Sequence, residues 1–157
     1  MKLKIICVGK LKEDFYIKAQ SEYAKMLRRF CELFIEELPD EPLTGVKGEK
    51  AQHAVKDAEG ARILTKCEGY VIACDVRGKT FSSEDFAEKL DTLMTGGTST
   101  ISFVIGGSIG LSDEVLARAD MRLSISKMTL PHRLFRVVLL EQIFRAFKIM
   151  NHETYHK

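Results

Sequence analysis

Several side chains in this 157-residue sequence are of types that move protons or hold charged ligands, and their spacing narrows what they could do. His132 stands directly after Pro131, at the start of a long apolar run. An imidazole titrates near neutrality and suits a general base, although a lone histidine at a helix start is also an ordinary capping or packing residue. Glu141, Arg145, Lys148 and His152 follow at three- and four-residue steps, so they share one face of a helix through them. That stripe is either a solvated face with an i,i+4 ion pair or a polar face turned into a cleft. The terminal Tyr155-His156-Lys157 offers an aromatic ring, an imidazole and an ammonium, which can stack on a nucleobase and meet a phosphate. A chain end of this kind is as often simply disordered. His152 and His156 are four apart, as in a zinc-binding helix, but no third ligand lies near them, so no metal is expected.

A second group of candidates is backbone rather than side chain. The strand-like run Ile101-Ser102-Phe103-Val104-Ile105 breaks into Gly106-Gly107-Ser108-Ile109-Gly110. A Walker loop would end in Gly-Lys-Ser/Thr and a dinucleotide fingerprint would read GxGxxG; neither spacing is present. The glycines serve either as a tight strand-to-helix turn or as a wall that lets a flat ligand approach the backbone closely.

These residues need elements to position them. Leu3 to Val8, Leu33 to Leu38, Gly69 to Asp75, Ile101 to Ile105 and Met121 to Ser126 read as strands. Helical spacing runs from Glu13 to Phe30, about Ala51 to Lys66, Ser82 to Met94 and about Leu134 to Met150, with a short helix capped by Ser112. Ser82-Ser83-Glu84-Asp85 is a capping-box start, Pro39 to Lys50 a loop, and Val76-Arg77-Gly78-Lys79 a turn. Strands alternating with helices predict an α/β domain with a mainly parallel sheet, whose ligands sit where two loops leave the same sheet edge. The loops after Ile105 and Ser126 are that pair. The last helix is apolar nearly all round, so one sheet cannot cover it, and a partner subunit is expected on its other side.

The bulk numbers agree with one globular domain over residues 1–157: 45% of residues are hydrophobic. Twenty-four Lys and Arg against 22 acids leave a net charge of +2, which argues against a protein held to nucleic acid by charge alone. Cys7, Cys31, Cys67 and Cys74 form no CxxC and read as buried reduced thiols. No signal peptide and no membrane-spanning run is apparent, so a soluble cytoplasmic protein is expected.

IGGSIGLS, SISKMTLPHRLFRVVLLEQIFRAFKIM and the terminal TYHK together resemble the small ribosomal RNA pseudouridine N3-methyltransferase family (RlmH) of the SPOUT class, and the resemblance spans essentially the whole chain. It implies an α/β fold whose C-terminal part, roughly residues 70–157, is tied in a deep trefoil knot, and it implies a homodimer. The implied reaction is methyl transfer from S-adenosylmethionine to N3 of a pseudouridine in large-subunit (23S) ribosomal RNA of the assembled ribosome. Carried over by position, the cofactor pocket falls on Cys74, Gly106, Ile125, Ser126, Lys127, Met128, Thr129 and Leu130. Two positions depart from the family pattern: Cys74, where Leu is common, and Ile109, where Asn or a charged residue is usual.

The imide nitrogen becomes nucleophilic only as it loses its proton, so a base or a cation must stand near it. His132, Glu141, Arg145, Tyr155 and His156 are the candidates, with the tail of one subunit expected to reach the pocket of the other. Two rivals share the fold: a methyltransferase acting on another RNA such as transfer RNA, and a ribosome-binding module that has lost the cofactor. A metabolite-binding regulator is a third reading.

Overall fold

The computed structural model describes residues 1–155. Five strands, β1 (Lys2–Val8), β2 (Glu32–Leu38), β3 (Tyr70–Thr80), β4 (Thr100–Ile105) and β5 (Met121–Ser124), form one sheet in the order β2-β1-β4-β3-β5. Every pairing is parallel. The parallel sheet therefore stands as the alternation of strands and helices predicts. All of β4 is buried, as a central strand covered on both faces must be.

Side-chain alternation divides the core. Ile101, Phe103 and Ile105 of β4 point with Leu3, Ile5 and Ile72 toward α1 (Asp14–Leu27), α3 (Ser83–Thr95) and α5 (His132–Met150). Val104, Ile6, Val8 and Val71 point the other way, toward α2 (Gly48–Leu64) and α4 (Asp113–Arg118). The expected caps form: Ser82 accepts from the Asp85 amide at 3.0 Å and Ser112 from the Val115 amide at 3.3 Å.

Besides shifts at helix ends, α1 stopping at Leu27 and α2 beginning at Gly48 inside the expected loop, three features differ from the sequence reading. The turn expected over 76–79 lies inside β3. Cys74 and Lys79 both pair with Leu123, so residues 75–78 bulge from an otherwise continuous strand. Gly78 permits this, because a Cβ there would fall 2.7 Å from the backbone of Arg122 and Leu123. β5 stops at Ser124 rather than continuing to 126, because the Ser124 hydroxyl donates to the Ser126 carbonyl at 2.8 Å and turns the chain. Beyond α5, His152 takes φ +53° and leaves the polar stripe, since the helix has already ended at Met150.

Within α5, Leu139, Leu140, Ile143 and Ala146 are fully buried, and Phe147 stacks on Phe30 at 5.3 Å between centroids. Leu134, Val137 and Val138 are only half-buried. Arg136 is wholly buried: its guanidinium donates to the Gly9 carbonyl at 2.9 Å and pairs with Glu37, which ties the start of α5 to the ends of β1 and β2. No helix among the described residues is long and apolar enough to cross a membrane, and no group of three or more His, Cys, Asp or Glu among them could hold a metal ion.

Candidate functional site

The loops after β4 and β5 and the bulge of β3 converge on one cleft. After β4 the chain makes a tight turn in which the Gly110 amide donates to the Gly107 carbonyl at 3.1 Å. Gly110 takes φ +91°, and a Cβ on Gly106 would fall 2.8 Å from the backbone of Gly110. The glycines thus form a compact turn. After β5 the turn holds itself together, with the Met128 amide donating to the Ser126 hydroxyl at 3.0 Å. The third wall is the bulge of β3.

The cleft brings together Cys74, Gly106, Ile125, Ser126, Met128, Thr129 and Leu130, and His132 also lines it. Lys127 is not among the lining residues. Sequence reasoning missed Asp75 and Phe135, which line it too. Asp75 accepts from the Arg77 amide at 3.0 Å; burial opposes its ionisation, but the Arg77 hydrogen bonds prevail and hold the carboxyl below the usual range. Asp75 therefore stays ionised, with the Arg77 guanidinium as its ion-pair partner at 3.3 Å. Burial pushes the Cys74 thiol well up, as does the neighbouring Cys7 thiol, so Cys74 is a neutral wall and not a nucleophile. Met128 is 77% exposed at the lip.

His132 is half-buried. Burial comes first, then the Arg133 and Arg136 cations, and together they hold the imidazole below its ordinary value despite the opposing pull of Asp40 and Glu13. It is neutral at pH 7 and can accept a proton.

Glu141, Arg145 and Tyr155 form a separate cluster. Arg145 donates to Glu141 at 2.6 Å, and its guanidinium lies 4.8 Å from the centre of the Tyr155 ring. Tyr155 also packs edge-on against Phe144 at 5.0 Å. Tyr23 of α1, which the sequence did not flag, belongs here: burial raises its phenol, with Tyr155 and Glu141 adding to the effect. None of these residues lines the cleft of its own chain. Arg145 is thirteen residues beyond His132, about 20 Å along the helix axis. His156 lies outside the described residues.

A parallel α/β sheet with a ligand cleft at its carboxyl edge defines a broad class of small-molecule-binding enzymes. Within it, this chain belongs to the family described as "Predicted SPOUT methyltransferase", whose profile matches residues 1–156. It is 50% identical over 159 residues to "Ribosomal RNA large subunit methyltransferase H" of Clostridium botulinum (strain 657 / Type Ba4), and 51% identical to the protein of that name from Clostridium acetobutylicum. Each alignment covers 100% of both chains. Among solved structures, the fold is similar to a probable methylase family protein from Haemophilus influenzae (TM-score 0.54, 17% identity, 99% of this chain and 70% of that one). It is also similar to a putative methyltransferase from Legionella pneumophila in complex with bound SAM (TM-score 0.52, 13% identity, 94% and 66%).

Proposed function

We propose that the chain is one S-adenosylmethionine-dependent methyltransferase domain, acting in the cytoplasm as a homodimer on N3 of a pseudouridine in large-subunit (23S) ribosomal RNA of the assembled ribosome. The knot over roughly residues 70–157 belongs to the same proposal. The observation that carries this reading is the convergence of two loops and the β3 bulge on a cleft lined by Cys74, Gly106, Ile125, Ser126, Met128, Thr129 and Leu130. The relatives' name, at half identity over full length, supports the choice of ribosomal RNA.

The cleft suits the cofactor in shape and charge. Its glycine walls admit a flat nucleoside, and ionised Asp75 favours a cationic sulfonium. S-adenosylmethionine, when bound, supplies an electrophilic methyl group. The work left to the protein is to align the acceptor, exclude water and remove the N3 proton. Neutral His132, on the cleft wall, would take that proton on its imidazole. Met128 at the lip excludes water once the cleft is filled. Glu141, Arg145, Tyr155 and His156 hold the flipped base from the partner subunit. The half-buried Leu134, Val137 and Val138 support that dimer, because a second copy of α5 would cover them.

Mass mapping of ribosomal RNA from cells with and without this protein tests the reading: the expected result is loss of one methyl group on one large-subunit pseudouridine. Calorimetry with S-adenosylmethionine separates the rivals, since a binding module without cofactor would give no heat. Wild-type levels of that methyl group in the deleted cells would overturn the assignment.

A further inference from the structure

Glu59 has no part in the cleft. It projects from α2 and is 4% exposed, yet its Oε2 has no hydrogen-bond partner among the described residues. Its Oε1 accepts from the Glu41 amide at 3.0 Å. A buried carboxyl oxygen without a donor is costly, so it marks a place where a donor is to be supplied. Glu59 lines a second cavity, together with Val8, Asp40, Gly107 and Ser108, at the same carboxyl edge of the sheet. His132 and Gly107 line both this cavity and the cofactor cleft, and so stand between them. Gly107 is small where it must be, because a Cβ would fall 2.8 Å from Glu59 Oε2. Burial raises the Glu59 carboxyl, with nearby Asp40 and Glu41 adding to the effect, against the hydrogen bond from Glu41 and the charge of Arg62. A ligand N–H would relieve it.

We propose that this second cavity takes the acceptor pyrimidine, and that Glu59 Oε2 accepts a hydrogen bond from the ring N1–H by which pseudouridine differs from uridine. The inference rests on the methyltransferase reading above and adds the residue that selects the substrate. The carbon–carbon glycosidic link of pseudouridine leaves N1 carrying a hydrogen, where uridine presents a C–H at the same edge. N1 and N3 are separated by one ring carbon. With N1–H on Glu59, the N3 edge is free to face His132 and the cofactor cleft beyond it. Uridine in this cavity would leave Oε2 without a donor, and a site built to pair a polar group discriminates strongly against the analogue that lacks it.

Glu59→Gln is the direct test. The Glu41 amide needs an acceptor and so fixes the Gln carbonyl, which turns the new NH2 toward the cavity, donor against donor. Methylation is measured on ribosomes carrying pseudouridine or uridine at the target position, with S-adenosylmethionine affinity followed by calorimetry. Wild type is expected to prefer pseudouridine. Glu59→Gln should lower that preference by about tenfold or more, with cofactor affinity unchanged. Equal losses on both substrates, or an unchanged preference, would overturn the role given to Glu59, as would a wild type that does not discriminate. If Glu59→Gln fails to fold, Glu59→Asp, whose carboxylate is one methylene shorter, must show the same loss of preference or the proposal falls. A wild type that methylates neither substrate would instead remove the methyltransferase reading itself.

Discussion

At the scale of single residues, the proposed chemistry turns on the protonation state of His132. A base must be neutral to act, and its neutral fraction rises as pH climbs past its pKa. Burial and the flanking Arg133 and Arg136 lower that pKa, so the acid limb of kcat/KM should lie below the ordinary histidine value and the rate should be flat through neutrality. His132→Ala should cost about 10²–10⁴-fold in kcat and remove the acid limb, whereas Glu141→Gln should leave the limb in place. A flat profile already present in wild type down to the carboxylate range would acquit His132. The two loops after Ile105 and Ser126 were legible at this scale because they fall where strands end, whereas the individual positions, Cys74, Gly106 and the run from Ile125 to Leu130, came from the family resemblance and not from counting. Glu59 was not picked out, since a carboxylate in a charged helix usually marks its wet face. A signal was nonetheless present, for Val55, Glu59 and Ile63 stand at four-residue steps and all three are buried on one stripe.

At the scale of elements, α5 is the piece that the rest must hold in place. Its first turn carries His132, and four residues later Arg136 is locked into the ends of β1 and β2. The periodicity of apolar residues located this helix to within two residues of its start. It did not reveal that an arginine inside the apolar run is fully buried, because burial of a charge depends on partners more than a hundred positions away in one case and ninety-nine in the other. The β3 bulge was misplaced for a related reason: Val76-Arg77-Gly78-Lys79 has turn composition, and only its pairing across β5 carries the strand onward. The buried pair makes an asymmetric prediction. Glu37→Leu leaves the guanidinium buried and half-satisfied and should cost about 3–5 kcal/mol. Arg136→Met leaves a carboxylate that can turn to water, so it should cost less in a denaturant melt. Equal costs for the two would mean that Arg136 is not held by its charge partner.

At the scale of the whole molecule, each chain carries both groups of candidate residues but holds them apart. The cleft with His132 lies at the carboxyl edge of the sheet, while Glu141, Arg145 and Tyr155 cluster beyond it along α5. A rigid helix cannot fold back on itself to join them; in the proposed homodimer two copies would exchange ends, and the twofold axis would make the two chambers equivalent. Charge placed on the half-buried stripe, as in Val138→Glu, should give monomers by sedimentation and abolish methylation. A sharper outcome comes from mixing two inactive variants, His132→Ala with its tail intact and a chain ending at Glu153 with His132 intact. After subunit exchange, half the dimers are mixed, and each mixed dimer has one chamber with a sound base and a sound tail. Recovery of about a quarter of the wild-type rate follows from that count. A chamber built within a single chain would give no recovery at any mixing ratio, and the partner's tail would then have no place in the reaction.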